Sequence, residues 1–264
     1  MNKVIRAEFG RTINAGLIIA IAGIIFSICF DSFNDLIAGL RNGQEYVGYF
    51  FSNAAFGGMC THYMLPVFTA LPFSVSLCQE RNNKAVSYIV SREGKNRYIF
   101  AKFIVSAISG GFVAVCGTVL LFLMLAMRFP IAGDEFEGAV VSDYFHEWSA
   151  VYYPQLYILT LSILAFCRGV IWSSLALCVS LYTSDFMVVL LSPFLGSYML
   201  VRIFQIIRVP DMVRPDMILI GQVVIKSSGL TLIIAIAISL TIVTLIGAFF
   251  VGKMKEGLKS GTIY

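Results

Sequence analysis

The sequence predicts an all-α polytopic membrane protein. Six transmembrane helices are expected, with an N-terminal amphipathic interfacial helix and an outer re-entrant helical insertion before the last span. Three observations lead there. First, the 264 residues are 58% hydrophobic and only 13% charged, whereas a soluble domain is roughly 45–50% apolar and about 25% charged. So little charge cannot clothe a soluble globule, and lipid is the default environment for the excess. Second, the apolar runs extend from end to end. That excludes intrinsic disorder and a soluble enzyme with a short anchor. Third, the basic residues fall mostly on one side of those runs, as the positive-inside rule requires of membrane spans.

The N-terminal residues 1–14 place Ile5, Phe9 and Ile13 at i, i+4 and i+8, with Lys3, Arg6 and Arg11 elsewhere on the wheel. This spacing predicts an interfacial helix, with a merely basic topogenic tail as the alternative. No A-x-A-like cleavage site follows the run to Phe30, so that run is expected to be a retained first span. Apolar segments lie at about 15–30, 54–78, 103–127, 155–182, 186–205 and 229–251. Inside lipid the backbone must satisfy its own hydrogen bonds, so each is expected to be helical. Without a linker or repeat, 1–264 forms one transmembrane domain.

Basic residues number three in 1–14, six in 79–102 and three in 252–264, against six on the opposite side. The opposite side also holds most of the acids. These counts predict a multi-pass protein of the plasma membrane with both termini cytoplasmic. The outer loop 128–154 is acidic and aromatic, either a small lid or a solvated loop. The outer segment 206–228 is semi-apolar and contains Pro210 and Pro215, a pattern that suits short interfacial or re-entrant helices.

Motifs for chemistry are absent from the sequence. There is no G-x-x-x-x-G-K-[ST], no H-E-x-x-H and no G-x-S-x-G, so no phosphate cradle, zinc-protease helix or nucleophile elbow is expected. The six cysteines lie within apolar runs without a C-x-x-C pair, which suits packing better than disulfides or zinc. Two span residues break the bilayer rule. Arg168 sits in LAFCRGVIW, and His62 lies within the second run. A cation at that depth costs several kcal/mol unless paired or watered. Both are candidates for a translocation pathway, with structural hydrogen bonding or snorkelling as the alternative. The pairs Gly16 and Ala20, Ala107 and Gly111, and Gly110 and Ala114 allow close helix approach.

The longest cytoplasmic stretch, Gln79 to Lys102, reads QERNNKAVSYIVSREGKNRYIFAK. Residues 80–90 are expected to form one short helix with Val86, Ile89 and Val90 on a small apolar face, broken by Gly94. It suits docking of a cytoplasmic partner or serves as an ordinary positive-inside hairpin. Taken with the basic N-terminal helix before it, the four spans after it and the outer insertion before the last, this hairpin resembles that of the permease subunit of a type-2 ABC exporter. The resemblance covers essentially the whole chain and rests on loose patterns.

The resemblance implies that Glu80, Arg81, Lys84, Val86, Ile89, Val90, Arg92 and Arg97 form the coupling surface for a cytoplasmic ATP-binding subunit. Arg6, Phe9 and Arg11 would belong to the connecting helix beside it. ATP and Mg would be bound by that partner, leaving this chain with no cofactor and no enzymatic activity of its own. A second permease copy or a homologous permease would complete the pathway, lined mainly by the first, second and fifth spans. Cargo would be hydrophobic or amphipathic, peptide among the candidates, and no nucleic acid is implied. The competing expectation is a stand-alone polytopic protein, an immunity or sensor protein or an intramembrane enzyme.

Overall fold

The computed structural model describes residues 2–42, 47, 58–131, 154–223 and 225–260. Among these residues the regular structure is helical and no strand occurs. The helices are α1 Asn2–Thr12, α2 Ala15–Asp31, α3 Phe33–Asn42, α4 Met59–Ala70, α5 Ser76–Asn82 and α6 Val86–Glu93. They continue with α7 Lys95–Ala126, α8 Pro154–Val179, α9 Phe186–Ile207, α10 Pro215–Ile220 and α11 Ser228–Ser260. The outer loop expected at 128–154 lies outside the described residues from 132 to 153.

Among the described residues four helices are long and apolar enough to cross a membrane: α7, α8, α9 and α11. A fifth is reached if α1 and α2 count as one span bent by 56°. The six spans expected are not all reached by length and composition among these residues. The missing one is the run at 54–78, and proline is the reason. Pro66 sits inside α4, and Pro72 follows its end in a run of turns, Leu71–Val75. Each proline lacks an N–H and crowds the preceding turn. At 12 residues, α4 is only about 18 Å long.

Local chemistry fixes the helix ends. Asn14 stops α1 and caps α2: its Oδ1 accepts from Leu17 N at 3.1 Å, while its Nδ2 donates to the Arg11 and Pro72 carbonyls at 3.0 and 3.2 Å. Asp31, at the end of α2, caps α4 instead. It accepts from Cys60 N at 2.9 Å and Thr61 N at 2.6 Å, where orphan amides and the helix dipole favour an anion. Gly94, at φ 84°, separates α6 from α7, a left-handed region that glycine enters without a Cβ penalty.

The main core gathers Ile24 of α2, Val113 and Leu121 of α7, Leu161 and Leu164 of α8, Ile218 of α10 and Ala235 of α11. The outer segment thus contributes a short buried helix to the bundle, preceded by a 3-10 turn at Asp211–Val213. A second core, Leu77, Val86, Tyr98, Leu181 and Leu258 among others, packs the hairpin against the ends of α8 and α11. The basic segments 79–102 and 252–260 therefore meet at one end of the bundle.

The α7–α8 contact is the tightest in the fold. A Cβ on Gly169 would lie 2.5 Å from the Gly110 carbonyl oxygen and 2.9 Å from Gly111 Cα. Both are backbone atoms that cannot rotate away, and such close approach is what small residues allow between membrane helices. Gly169→Ala is expected to cost about 1–3 kcal/mol through overpacking, read as a lower thermal midpoint in detergent. Gly252→Ala, with nothing within 4 Å of its Cβ, should leave the midpoint unchanged.

Candidate functional site

Two charged sites stand out among the described residues, one at the basic end of the bundle and one around Arg168. The first lies at the basic end, where α1, α5 and the start of α7 converge. Lys102 points into this junction and is fully buried. Its Nζ donates to Glu80 Oε1 at 2.8 Å, Glu8 Oε2 at 3.1 Å and Ser76 Oγ at 3.1 Å. These three bonds use all three ammonium protons. The ring of Phe73 adds a face 4.7 Å from the nitrogen, within cation–π range.

The acids are satisfied in turn. Glu80 Oε1 also accepts from Arg11 Nη1 at 2.6 Å, and Oε2 accepts from the Tyr98 hydroxyl at 2.5 Å. Glu8 Oε1 accepts from Arg11 at 3.2 Å. Two cations face two anions, so the cluster is formally neutral. Pairing and full hydrogen bonding are the conditions under which charge can be buried at all. The cluster binds three elements to one another.

The hairpin is fastened on its other side as well. Arg81 Nη1 donates to the carbonyls of Ser180 and Leu181 at 3.0 and 3.2 Å, just past the end of α8, and Asn82 reaches the Ser184 carbonyl. A groove of about 720 Å³ runs beside this junction, between α1, the α2 entry at Gly16, the α4–α5 turn and Phe186 of α9.

The structure corrects several sequence expectations here. Residues 80–90 are two helices, split at Asn83–Ala85 with Lys84 at φ 53°. Glu80 faces inward, because its carboxylate is held by Lys102, Arg11 and Tyr98. Val86 is buried, and Ile89 and Val90 pack half-buried against the same core. Lys84, Arg92 and Arg97 are exposed, and so is Tyr88. On α1 the protein-facing side is Val4, Glu8 and Thr12. Ile5 and Phe9 are only half-buried and Ile13 is 80% exposed. The apolar stripe is thus turned away from the bundle, which suits a stripe that lies on lipid. Arg6 is exposed. Lys102 does not open a span but lies within α7, two turns beyond its start.

Glu8, Ser76 and Tyr98 belong to this cluster although no sequence motif marks them. One signal was present: Glu8 is the only acid in a basic N-terminal segment, and it recurs with Val4 and Thr12 at helical spacing.

At the second site, Arg168 of α8 and His62 of α4 line one cavity of about 170 Å³ with Trp172, Ser197 and Asp216. Asp216 is already engaged by Arg214 of the outer segment, at 2.7 Å between Nη2 and Oδ2 and 3.3 Å between Nε and Oδ1. That bond and the nearby carboxylates raise the Arg214 pKa. Arg168 is 7% exposed and, among the described residues, has no hydrogen-bonded or ion-paired partner. No metal-binding group of histidine, cysteine or acid side chains occurs among the described residues.

Removing one partner of a buried ion pair typically costs about 3–5 kcal/mol. Lys102→Met is expected to destabilise by about that much, and adding Glu8→Gln should restore part of the loss, measured by thermal unfolding in detergent. Arg11→Ala should cost under about 1 kcal/mol and vary with salt, because its side chain is 52% exposed.

No family model matches the chain, and no curated protein and no solved structure matches it either.

Proposed function

We propose that this chain is the transmembrane permease subunit of an ATP-driven exporter of hydrophobic or amphipathic molecules. One observation carries the proposal: the buried cluster of Glu8, Glu80 and Lys102 ties an exposed hairpin to the walls of a groove. Helix α6 presents Ser87, Tyr88, Ser91 and Arg92 outward while Val86 anchors it from beneath. A partner pressing on α6 would move α5, α7 and α1 together, because the ionic cluster links them. The groove is flanked by the first, second and fifth apolar runs, those that an exporter of this kind uses to line its path.

In this proposal six crossings are completed by α4, the turn at 71–75 and α5 acting as one broken span. The segment 206–228 is a re-entrant element of the outer face. The basic end is cytoplasmic, in a plasma membrane, and both termini lie there. The chain contributes no ATPase chemistry. ATP and Mg are bound by a cytoplasmic subunit seated on α6, and a second permease copy or a homologous permease completes the pathway. Docking then depends on Tyr88, Arg92 and Arg97, while Glu80, Arg81 and Val86 position the helix.

A second proposal, a stand-alone membrane protein that works without an ATPase, draws on the unpartnered Arg168. The two diverge in one experiment. Full-length protein purified with its membrane partners is expected to bring an ATP-hydrolysing subunit with it. Tyr88→Ala combined with Arg92→Glu should remove that activity without lowering the thermal midpoint, and Arg168→Gln should not. Full function of the chain reconstituted alone, without ATP, would overturn the exporter proposal.

A further inference from the structure

Among the described residues, the cavity around Arg168 is lined by one carboxylate, Asp216, and that carboxylate is bound to Arg214. The Arg168 guanidinium lies in the interior of a membrane-crossing helix, and it has no partner among the described residues. Leaving such a group unpaired in a low-dielectric setting is costly. Arg168 also lines a neighbouring void of about 20 Å³ with Thr61, whose hydroxyl is buried and unbonded. That void is of a size for one water, and one water can occupy only part of a guanidinium with five N–H donors.

The larger cavity has a shape that suits more than water. Its wall toward Arg168 carries Ser197 and His62, and Asp216 there is neutralised by two bonds from Arg214. The rest of its lining is mainly apolar, with Ile171, Leu219 and Ile220 buried on one part and Trp172, Leu175, Leu200, Ile242 and Ile246 half-buried on the other. Helices α9 and α11 both pack on α8 but make little contact with each other. The apolar wall therefore faces a gap between two spans, on the side where lipid lies.

We infer that this cavity binds the anionic head of a single-chain amphiphile from the bilayer, of the fatty-acid type, with its carboxylate on Arg168 and its chain leaving between α9 and α11. Charge complementarity selects the head group. A carboxylate matches the guanidinium fork and can accept two parallel N–H bonds. Volume selects the chain number. About 170 Å³ is close to the roughly 150 Å³ of a cavity that takes up one benzene-sized molecule. That accommodates a carboxylate and the first few carbons of one chain, and it does not accommodate the glycerol and paired chains of a phospholipid. This inference does not depend on an ATPase partner.

Trp172 offers the readout, since it lines the cavity and the chain has two tryptophans. With Trp148→Phe it becomes the single reporter in full-length protein held in phosphatidylcholine nanodiscs. Dibrominated stearate is expected to quench it saturably, and its uncharged methyl ester only by unsaturable partitioning. Arg168→Gln should weaken the saturable phase by at least about tenfold, the loss expected when a charged hydrogen bond is removed, and Arg168→Lys by less. Ile242→Phe with Ile246→Phe, which fills the apolar arm and leaves the guanidinium in place, should abolish the same phase. That second variant keeps the test decisive where Arg168→Gln fails to fold. Equal quenching by acid and ester would overturn the inference, as would saturable binding unchanged in both variants. Relief of the saturable quenching by unbrominated phosphatidate at equal concentration would overturn the single-chain assignment.

Discussion

The ammonium of Lys102 is the point on which the basic end of the molecule depends. It is fully buried, it lies within a membrane-crossing helix, and its three protons go to residues on α1 and α5. Without Glu8 and Glu80 the charge could not be there. Without the charge, two carboxylates in the same junction would repel each other. The partners are far apart in sequence, Glu8 from Lys102 by 94 positions, so the cluster forms only when α1 has folded back under the bundle. Asn14 makes that fold-back possible by ending α1, starting α2 and bonding the Pro72 carbonyl.

This arrangement explains why the hairpin is divided as it is. Helix α5 is committed inward, with Glu80 in the cluster and Arg81 on the carbonyls beyond α8. Helix α6 is committed outward, held only by Val86 and the partial burial of Ile89 and Val90. A single straight helix could not meet both demands, because its inward and outward residues would have to share one apolar face. The left-handed residue at Lys84 and the glycine at 94 supply the two changes of direction.

Much of the fold was legible in the sequence because lipid imposes a strong rule. Long apolar runs became helices at 95–126, 154–179, 186–207 and 228–260, and the small pairs around Gly110 did mark the tightest helix crossing. What hydropathy could not register was proline: the second run is as apolar as the others, but Pro66 and Pro72 shorten and break it. The hairpin was legible as a structured element and not in its polarity. Glu80 and Lys102 were counted as surface charges because charge in a loop is usually solvated. Their burial depends on Glu8, which no local pattern connects to them. Likewise the Ile5, Phe9, Ile13 stripe identified an amphipathic helix correctly, while the protein contacts the opposite face.

The two buried cations of α7 and α8 make an instructive contrast. Both sit in helices apolar enough to cross a membrane, and desolvation penalises both. Lys102 is answered from within the chain by two carboxylates, a hydroxyl and an aromatic face, which makes it part of the scaffold. Arg168 has cavity in front of it, and among the described residues that line it the one carboxylate, Asp216, is turned to Arg214. A chain that can surround one cation so completely has the means to surround a second. That it leaves Arg168 open toward an apolar cleft, beside the single tryptophan of α8, identifies the place where the bundle is completed by a molecule other than itself.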